Sequence, residues 1–463
     1  MKELVESFLG IEEKFKDLKA GDLCIWPYIR TEVFRMIEHD LTNNDFVPVF
    51  RRQRVVESID RTGDEAGYGP EFENLFLQKL TRKSILIITE KNRFVEIDGK
   101  KVCPVTSTFE KIFPNQTMTI CNEFITGGGK RDESFKVNTN MCEGDRVTIN
   151  YGSISVIKWV MPSEDEVEQI SLGIKAQTEK LLSLELSDEF SASLKEMIFY
   201  VCSFTGYTDF YGRIIEAVDP EVVIVSSYYC IPHGFFVAEA RKRNIPVFEM
   251  QHGTIGDEHF AYNSYLDMRQ FENTPDYLLC YGEPELNSMR FSIGKDRIIP
   301  VGNLFLNEVS EKYKGRFERE WGSILLVAFN IDNDNLVALA VRIKDKAPDR
   351  HVTYRFHPIE KRNDEVIDRL KGAGVELSMD YRVSVYDYLA VSDIVIGTKS
   401  TVLKEAEVFG NRIYKLDEKG DIEQIAEDIV TEKYNYIHDV KENYYVLNGE
   451  ERVKEWIGKY QRI

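Results

Sequence analysis

The chain has 463 residues, 43% hydrophobic and 12% aromatic, with 78 acidic against 59 basic side chains and a net charge of −19. That length exceeds what one core usually organises, so two domains are expected, and the composition excludes a disordered, collagen-like or small disulfide-built protein. The acidic balance argues against a broad surface tracking nucleic-acid phosphates, so no nucleic-acid partner is expected.

The seven cysteines, Cys24, Cys103, Cys121, Cys142, Cys202, Cys230 and Cys280, are scattered and never spaced as CxxC. This points away from a disulfide framework or zinc cluster and toward a reducing compartment. The first residues, MKELVESFLGIEEKFKDLK, carry acids through their apolar stretch and lack a small-residue cleavage site, so neither a signal nor a transit peptide is expected. No window approaches the ~18 uninterrupted apolar residues of a membrane span. A cytoplasmic protein is expected, with peripheral attachment at the inner face of the cell membrane left open through Arg51, Arg52 and Arg54.

Residues 1 to about 80 show helix-period apolar spacing, including Trp26, Tyr28, Ile29, Val33, Phe34 and Ile37, and no clear strand, which predicts an N-terminal helical region. From Lys83 the pattern changes to short β-branched runs at 84–90, 116–122, 221–227, 245–250 and 276–282, which predict buried parallel strands. Helical patterns such as FYGRIIEAV and FFVAEARKRN lie between them, so a doubly wound α/β domain is expected over 81–305. The segment 123–160, with Gly127, Gly128, Gly129, Lys130 and Arg131, fits neither period and predicts an insertion or mobile loop.

A second alternating series follows Trp321, with strands expected at 323–329, 351–356, 375–379, 393–397 and 412–416 and helices between them. It predicts a second Rossmann-like domain over 306–435 and a C-terminal helical segment over 436–463. Two such domains would leave a cleft facing the carboxyl ends of both sheets, where ligands bind in this class of fold.

Gln251-His252-Gly253-Thr254 directly follows the strand at 245–250, which places His252 at a carboxyl edge. An imidazole with an ordinary pKa near ~6.5 can take a hydroxyl proton at neutral pH, and Gly253 permits close approach of backbone or substrate. His357-Pro358 ends a strand of the second domain, and the proline keeps His357 extended. In GTKSTVLKEAEVFG, a strand ends at Gly397, Lys399, Ser400 and Thr401 make the turn, and a helix begins near Val402. Free N–H groups, hydroxyls and a cation there suit a phosphate, although an N-cap alone accounts for the hydroxyls. Glu405, one turn on, is placed to accept ribose hydroxyls.

Asp332-Asn333-Asp334 lies between a strand and a helix and reads as capping residues rather than a metal grip. Weaker cleft candidates are Ser226, Ser227 and Tyr228 at a neighbouring strand end, Asp257 and His259 just beyond the QHGT run, and Lys91 and Arg93 after the first strand.

QHGT, then PDYLLCYGE, RIIPVGN, a strand ending in HP, and VYDYLAVSDIVIGTKSTVLKEAEVFGNRIYKL together resemble bacterial capsule and surface-polysaccharide glycosyltransferases of the GT-B fold, over roughly residues 220 to 420. The HP with a later Ser-Thr also resembles bacterial sialyltransferases, and the HGT with HP resembles CDP-glycerol glycerophosphotransferases. The resemblance implies two Rossmann-like domains facing a cleft and a donor activated by a cytidine nucleotide. The implied acceptor is an oligosaccharide or lipid-linked glycan, and no metal or cofactor is implied. It further implies His252 as catalytic base, His357 at the donor phosphate or leaving group, and Ser400 and Thr401 on the phosphate. Transfer of a sugar in one displacement would invert its anomeric centre. A GT-B-fold sugar-nucleotide epimerase, using carboxylates such as Asp257 or Glu258, and a non-catalytic subunit of polysaccharide biosynthesis are the alternatives.

Overall fold

The computed structural model describes residues 2–42, 70–97, 100–123, 145–150, 162–253, 255–282, 287–291, 293–313, 315, 318–329, 333–357, 363–379, 383–398, 400–417, 420–433 and 448–461. Its strands are β1 (Lys19–Ala20), β2 (Leu23–Cys24), β3 (Ile85–Glu90), β4 (Val95–Ile97), β5 (Lys100–Val102), β6 (Thr117–Glu123), β7 (Arg146–Asn150), β8 (Val222–Val225), β9 (Val247–Met250), β10 (Tyr277–Cys280) and β11 (Ile298–Pro300). The series continues with β12 (Ile324–Val327), β13 (Val352–Arg355), β14 (Glu376–Ser378), β15 (Ile394–Gly397) and β16 (Arg412–Lys415). Two compact units form: Met1–Arg93 with Val105–Val301 and Glu450–Ile463, and Phe94–Pro104 with Gly302–Gly449.

The first unit is built on a seven-stranded sheet in the order β11-β10-β9-β8-β3-β6-β7. Every neighbouring pair in it is parallel. Counted from β3 this is the strand order of dinucleotide-binding folds with one strand added. The runs ILIITE and VVIV are buried along their whole length, as strands covered by helices on both faces must be.

β7 and β11 both lie at sheet edges. β7 falls inside the segment read from sequence as an insertion or loop, which its pairing with β6 corrects; the glycine run itself lies outside the described residues. β11 ends in Pro300, which an edge strand tolerates because the N–H that proline lacks would face no partner there.

The N-terminal residues do not form a core of their own. Phe8, Trp26, Ile29, Phe34 and Ile37 belong to the same apolar cluster as Leu86, Ile88 and Val223 of the sheet. A short hairpin, β1 with β2, also interrupts a stretch expected to be without strands. At the other end of the chain, helix Gly449–Gly458 brings Trp456 and Tyr460 against Tyr277 of β10, with ring centroids 5.6 and 5.8 Å apart.

The second unit carries a five-stranded sheet in the order β14-β13-β12-β15-β16. It too is parallel throughout. Its core joins Leu326 and Ile396 to Leu336, Leu339 and Ile343 of helix Asp334–Lys346 and to Ile429 of helix Ile422–Val430. Each unit is Rossmann-like. No helix among the described residues is long and apolar enough to cross a membrane.

Candidate functional site

In the first sheet the strand order reverses between β3 and β8, the place where doubly wound sheets take their ligands. Glu90 ends β3 and is 7% exposed. Its carboxylate accepts from Arg93 and from Ser226 Oγ at 2.8 Å. Burial alone would raise its pKa, but the charges of Arg93 and His233 with these hydrogen bonds hold it at about 2. After β8, Ser226, Ser227 and Tyr228 turn into helix Ile231–Lys242, where His233 is fully buried and its Nδ1 meets the Ser227 carbonyl at 2.9 Å.

His252 follows β9, the next strand. The Tyr229 hydroxyl lies 2.9 Å from its Nε2, and the Tyr262 hydroxyl lies 3.5 Å from its Nδ1, at the limit of hydrogen bonding. Tyr262 donates in turn to Glu249 Oε1 at 2.6 Å, and the Tyr228 N–H donates to the same oxygen at 3.2 Å. With Tyr229 donating to Nε2, the imidazole proton belongs on Nδ1, directed at Tyr262. Burial, then the Arg93 charge and lesser contributions from His259 and Arg35, push the His252 pKa well below its usual value against the opposing charge of Glu90. Burial also lifts Glu249 to about 8 against its hydrogen bonds, so it is mostly protonated at neutral pH. His259 lies beside Tyr262, ring centroids 4.9 Å apart, and burial with the nearby Arg35 lowers it to about 4.

Other residues singled out from the sequence have mainly structural neighbours. Gln251 is fully buried; its Nε2 donates to the Gly253 carbonyl at 2.7 Å and its Oε1 accepts from the Tyr281 N–H at 2.7 Å. Tyr228 is buried and donates to the Ala261 carbonyl at 2.5 Å. Asp257 pairs with Lys2 at 2.5 Å on the surface. A methyl group at Gly253 would meet nothing within 4 Å among the described residues, so their packing does not demand a glycine there. Thr254 lies outside the described residues.

The second sheet reverses its order between β12 and β15. β15 ends at Gly397, where a Cβ would come within 2.9 Å of Val327 Cγ2 and 3.1 Å of the Val327 carbonyl, so close strand packing requires the glycine. Ser400 Oγ accepts from the Val402 N–H at 3.3 Å. Thr401 caps helix Val402–Val408 without a side-chain capping bond and instead hydrogen-bonds Glu405, as Tyr386 does. Burial raises Glu405 to about 7 despite those two bonds. His357 follows β13, half-buried 6.3 Å from the Phe329 ring, and burial lowers its pKa. Pro358, Lys399 and Asp332 lie outside the described residues. Asn333 holds the N-cap position of helix Asp334–Lys346 without a side-chain capping bond; its amide instead holds the turn at Phe329 through bonds of 2.7 and 2.9 Å.

Tyr229, Glu90, Glu249, Tyr262, His233 and Arg35 went unnoticed in the sequence. Two of them left a signal: Glu90 and Glu249 are carboxylates inside the otherwise apolar strands ILIITE and VFEM. A charge there must be paired or neutralised.

No family model matches this sequence, and no curated protein matches it significantly. Among solved structures it is similar to UDP-GlcNAc 2-epimerase from Neisseria meningitidis bound to UDP-GlcNAc, at 13% identity and TM-score 0.47, covering 81% of this chain and 100% of that one. The Methanocaldococcus jannaschii UDP-GlcNAc 2-epimerase is similar at 14% identity and TM-score 0.42, over 81% and 99%. The wall teichoic acid polymerase TagF is similar at 11% identity and TM-score 0.41, over 92% and 97%. All three TM-scores lie below 0.5, so the assignment of two Rossmann-like units rests on the strand orders and the chemistry on the side chains.

Proposed function

We propose that this protein is a cytoplasmic GT-B glycosyltransferase of surface-polysaccharide biosynthesis. It moves a sugar or polyol phosphate from a nucleotide-activated donor, CMP- or CDP-linked, to a hydroxyl of an oligosaccharide or lipid-linked glycan. The observation that carries this is the placement of His252 at the carboxyl edge of the first sheet, neutral, with Nε2 in contact with a hydroxyl 2.9 Å away. An acceptor hydroxyl taking the place of Tyr229 at Nε2 would lose its proton to the imidazole as it attacks. The anionic donor offsets the Arg93 and Arg35 charges that depress His252, which strengthens the base when substrate is present.

In the second unit, His357, Ser400, Thr401 and Lys399 serve the donor phosphate, and Glu405 serves the ribose. A carboxyl near pKa 7 can both donate to and accept from a sugar hydroxyl. These roles use no metal ion.

One observation favours a second reading, a sugar-nucleotide epimerase: Glu90 near 2 and Glu249 near 8 are carboxyls pushed apart in pKa within one site, the pattern of an acid and base pair. Incubation with nucleotide sugars in D2O without acceptor separates the two, since only an epimerase places deuterium on the sugar ring.

The primary test is a thermal-shift panel of CMP, CDP, UDP, GDP and ADP on the wild type and His357→Ala. Stabilisation by a cytidine nucleotide that is lost in the variant is expected, and no response to any nucleotide overturns the proposal.

A further inference from the structure

Where the first sheet reverses, Glu90 at the end of β3 meets Cys230 and His233, three residues apart at the start of helix Ile231–Lys242. One ligand atom from each, a carboxylate oxygen, the thiol sulfur and an imidazole nitrogen, all lie within 4.8 Å of one another. His233 is fully buried, and its Nδ1 contact with the Ser227 carbonyl at 2.9 Å places the proton on Nδ1. Nε2 is therefore left with a lone pair and is buried without a hydrogen-bond partner among the described residues, although the Thr89 carbonyl also faces the ring. A buried acceptor left unpaired costs about 1–3 kcal/mol, so this orphan nitrogen requires an explanation.

We propose that Glu90, Cys230 and His233 bind a divalent transition-metal ion, with Zn2+ as the best match to a carboxylate, a thiolate and an imidazole. Bond lengths of ~2.0–2.3 Å put the ligand atoms of a tetrahedral site under ~4 Å apart, a spacing compatible with the 4.8 Å within which these three stand. The Ser227 carbonyl on Nδ1 is the outer partner that fixes the tautomer of a metal-ligating histidine. Cys230 is only half-buried, which gives an ion a route from solvent.

Arg93 and Ser226 already hold the Glu90 carboxylate, both on Oε2, with Arg93 also 3.2 Å from Oε1. The ion takes the remaining lone pair of Oε1, and the guanidinium beside it weakens binding relative to a site without a neighbouring cation. On binding, the Cys230 thiol gives up its proton to solvent as the metal–sulfur bond forms, so carboxylate and thiolate together balance the dication. Three protein ligands leave a fourth position for water or a substrate atom. This site stands independently of the transferase proposal, whose roles use no metal.

The test is titration of the full-length, chelator-treated protein with Co2+ and then Zn2+, followed by optical absorption. One equivalent of Co2+ is expected to give a near-ultraviolet thiolate-to-cobalt band that Zn2+ displaces. Cys230→Ser should abolish the band, and His233→Gln should weaken Co2+ binding at least tenfold. Failure of the folded wild type to retain Co2+ overturns the proposal without recourse to any variant, as does a band undiminished in Cys230→Ser, which would place the ion on another cysteine.

Discussion

The Tyr229 hydroxyl stands 2.9 Å from Nε2 of His252 and occupies the nitrogen that a substrate hydroxyl would need. Substituting His252→Asn is therefore expected to lower kcat by roughly a hundredfold to ten-thousandfold, the range for loss of a general base, with little change in Tm. In Tyr229→Phe the imidazole loses the donor that favours its neutral form. Its pKa should rise, and the acidic limb of kcat/KM should move to higher pH. A pH–rate profile of the two proteins side by side checks this, and coincident acidic limbs would remove Tyr229 from the reaction.

Glu249 holds its proton up to about pH 8 in the folded chain, whereas an unfolded glutamate releases it near the ordinary 4.5. Between those values the folded state binds more protons, so stability falls as pH rises through this window. Glu249→Gln keeps the neutral shape and should flatten that slope, gaining stability relative to the wild type at pH 9 while matching it near pH 5. Urea titrations at several pH values report the difference directly.

Gly397→Ala places a methyl group against Val327 and is expected to cost about 1–3 kcal/mol, as overpacking does. Gly253→Ala meets open space among the described residues and should leave Tm unchanged. If Gly253→Ala nevertheless slows turnover, substrate approaches that backbone.

Arg30 forms a buried ion pair with Glu12, donates to the Asn263 carbonyl at 2.7 Å and reaches the Ala261 carbonyl at 3.4 Å. Ser264 Oγ donates to the other oxygen of Glu12 at 2.9 Å. The N-terminal helices thereby anchor the loop that carries His259 and Tyr262. Arg30→Met leaves Glu12 charged and buried, with an expected cost of about 3–5 kcal/mol by denaturant unfolding. Adding Glu12→Leu should recover part of it.

The strands that line both reversal points were legible because parallel strands buried on both faces read as unbroken apolar runs, and both histidines were placed by strand ends alone. β7 and β11 escaped because edge strands need no such run: RVTIN alternates, and RIIPVG contains a proline. The partners of His252 were hidden for a different reason. Tyr229 lies 23 residues before His252 and Tyr262 lies 10 after it; the pairing of β8 with β9 brings Tyr229 to the imidazole, and Glu249 joins only through Tyr262. The N-terminal region was legible only as helical, because helical periodicity shows that a face is apolar and says nothing of what covers it.

The last described residues rest on β10, and Arg452 donates to the Pro300 carbonyl at 2.9 Å, so the first unit is assembled from both ends of the polypeptide. The helix that covers Tyr277 thus reaches β10 and β11 from 152 residues further along the chain, past the whole of Gly302–Gly449. Removing residues 450–463 should strand the unit that was made first, exposing it to chaperones and proteases, while leaving the later one to fold.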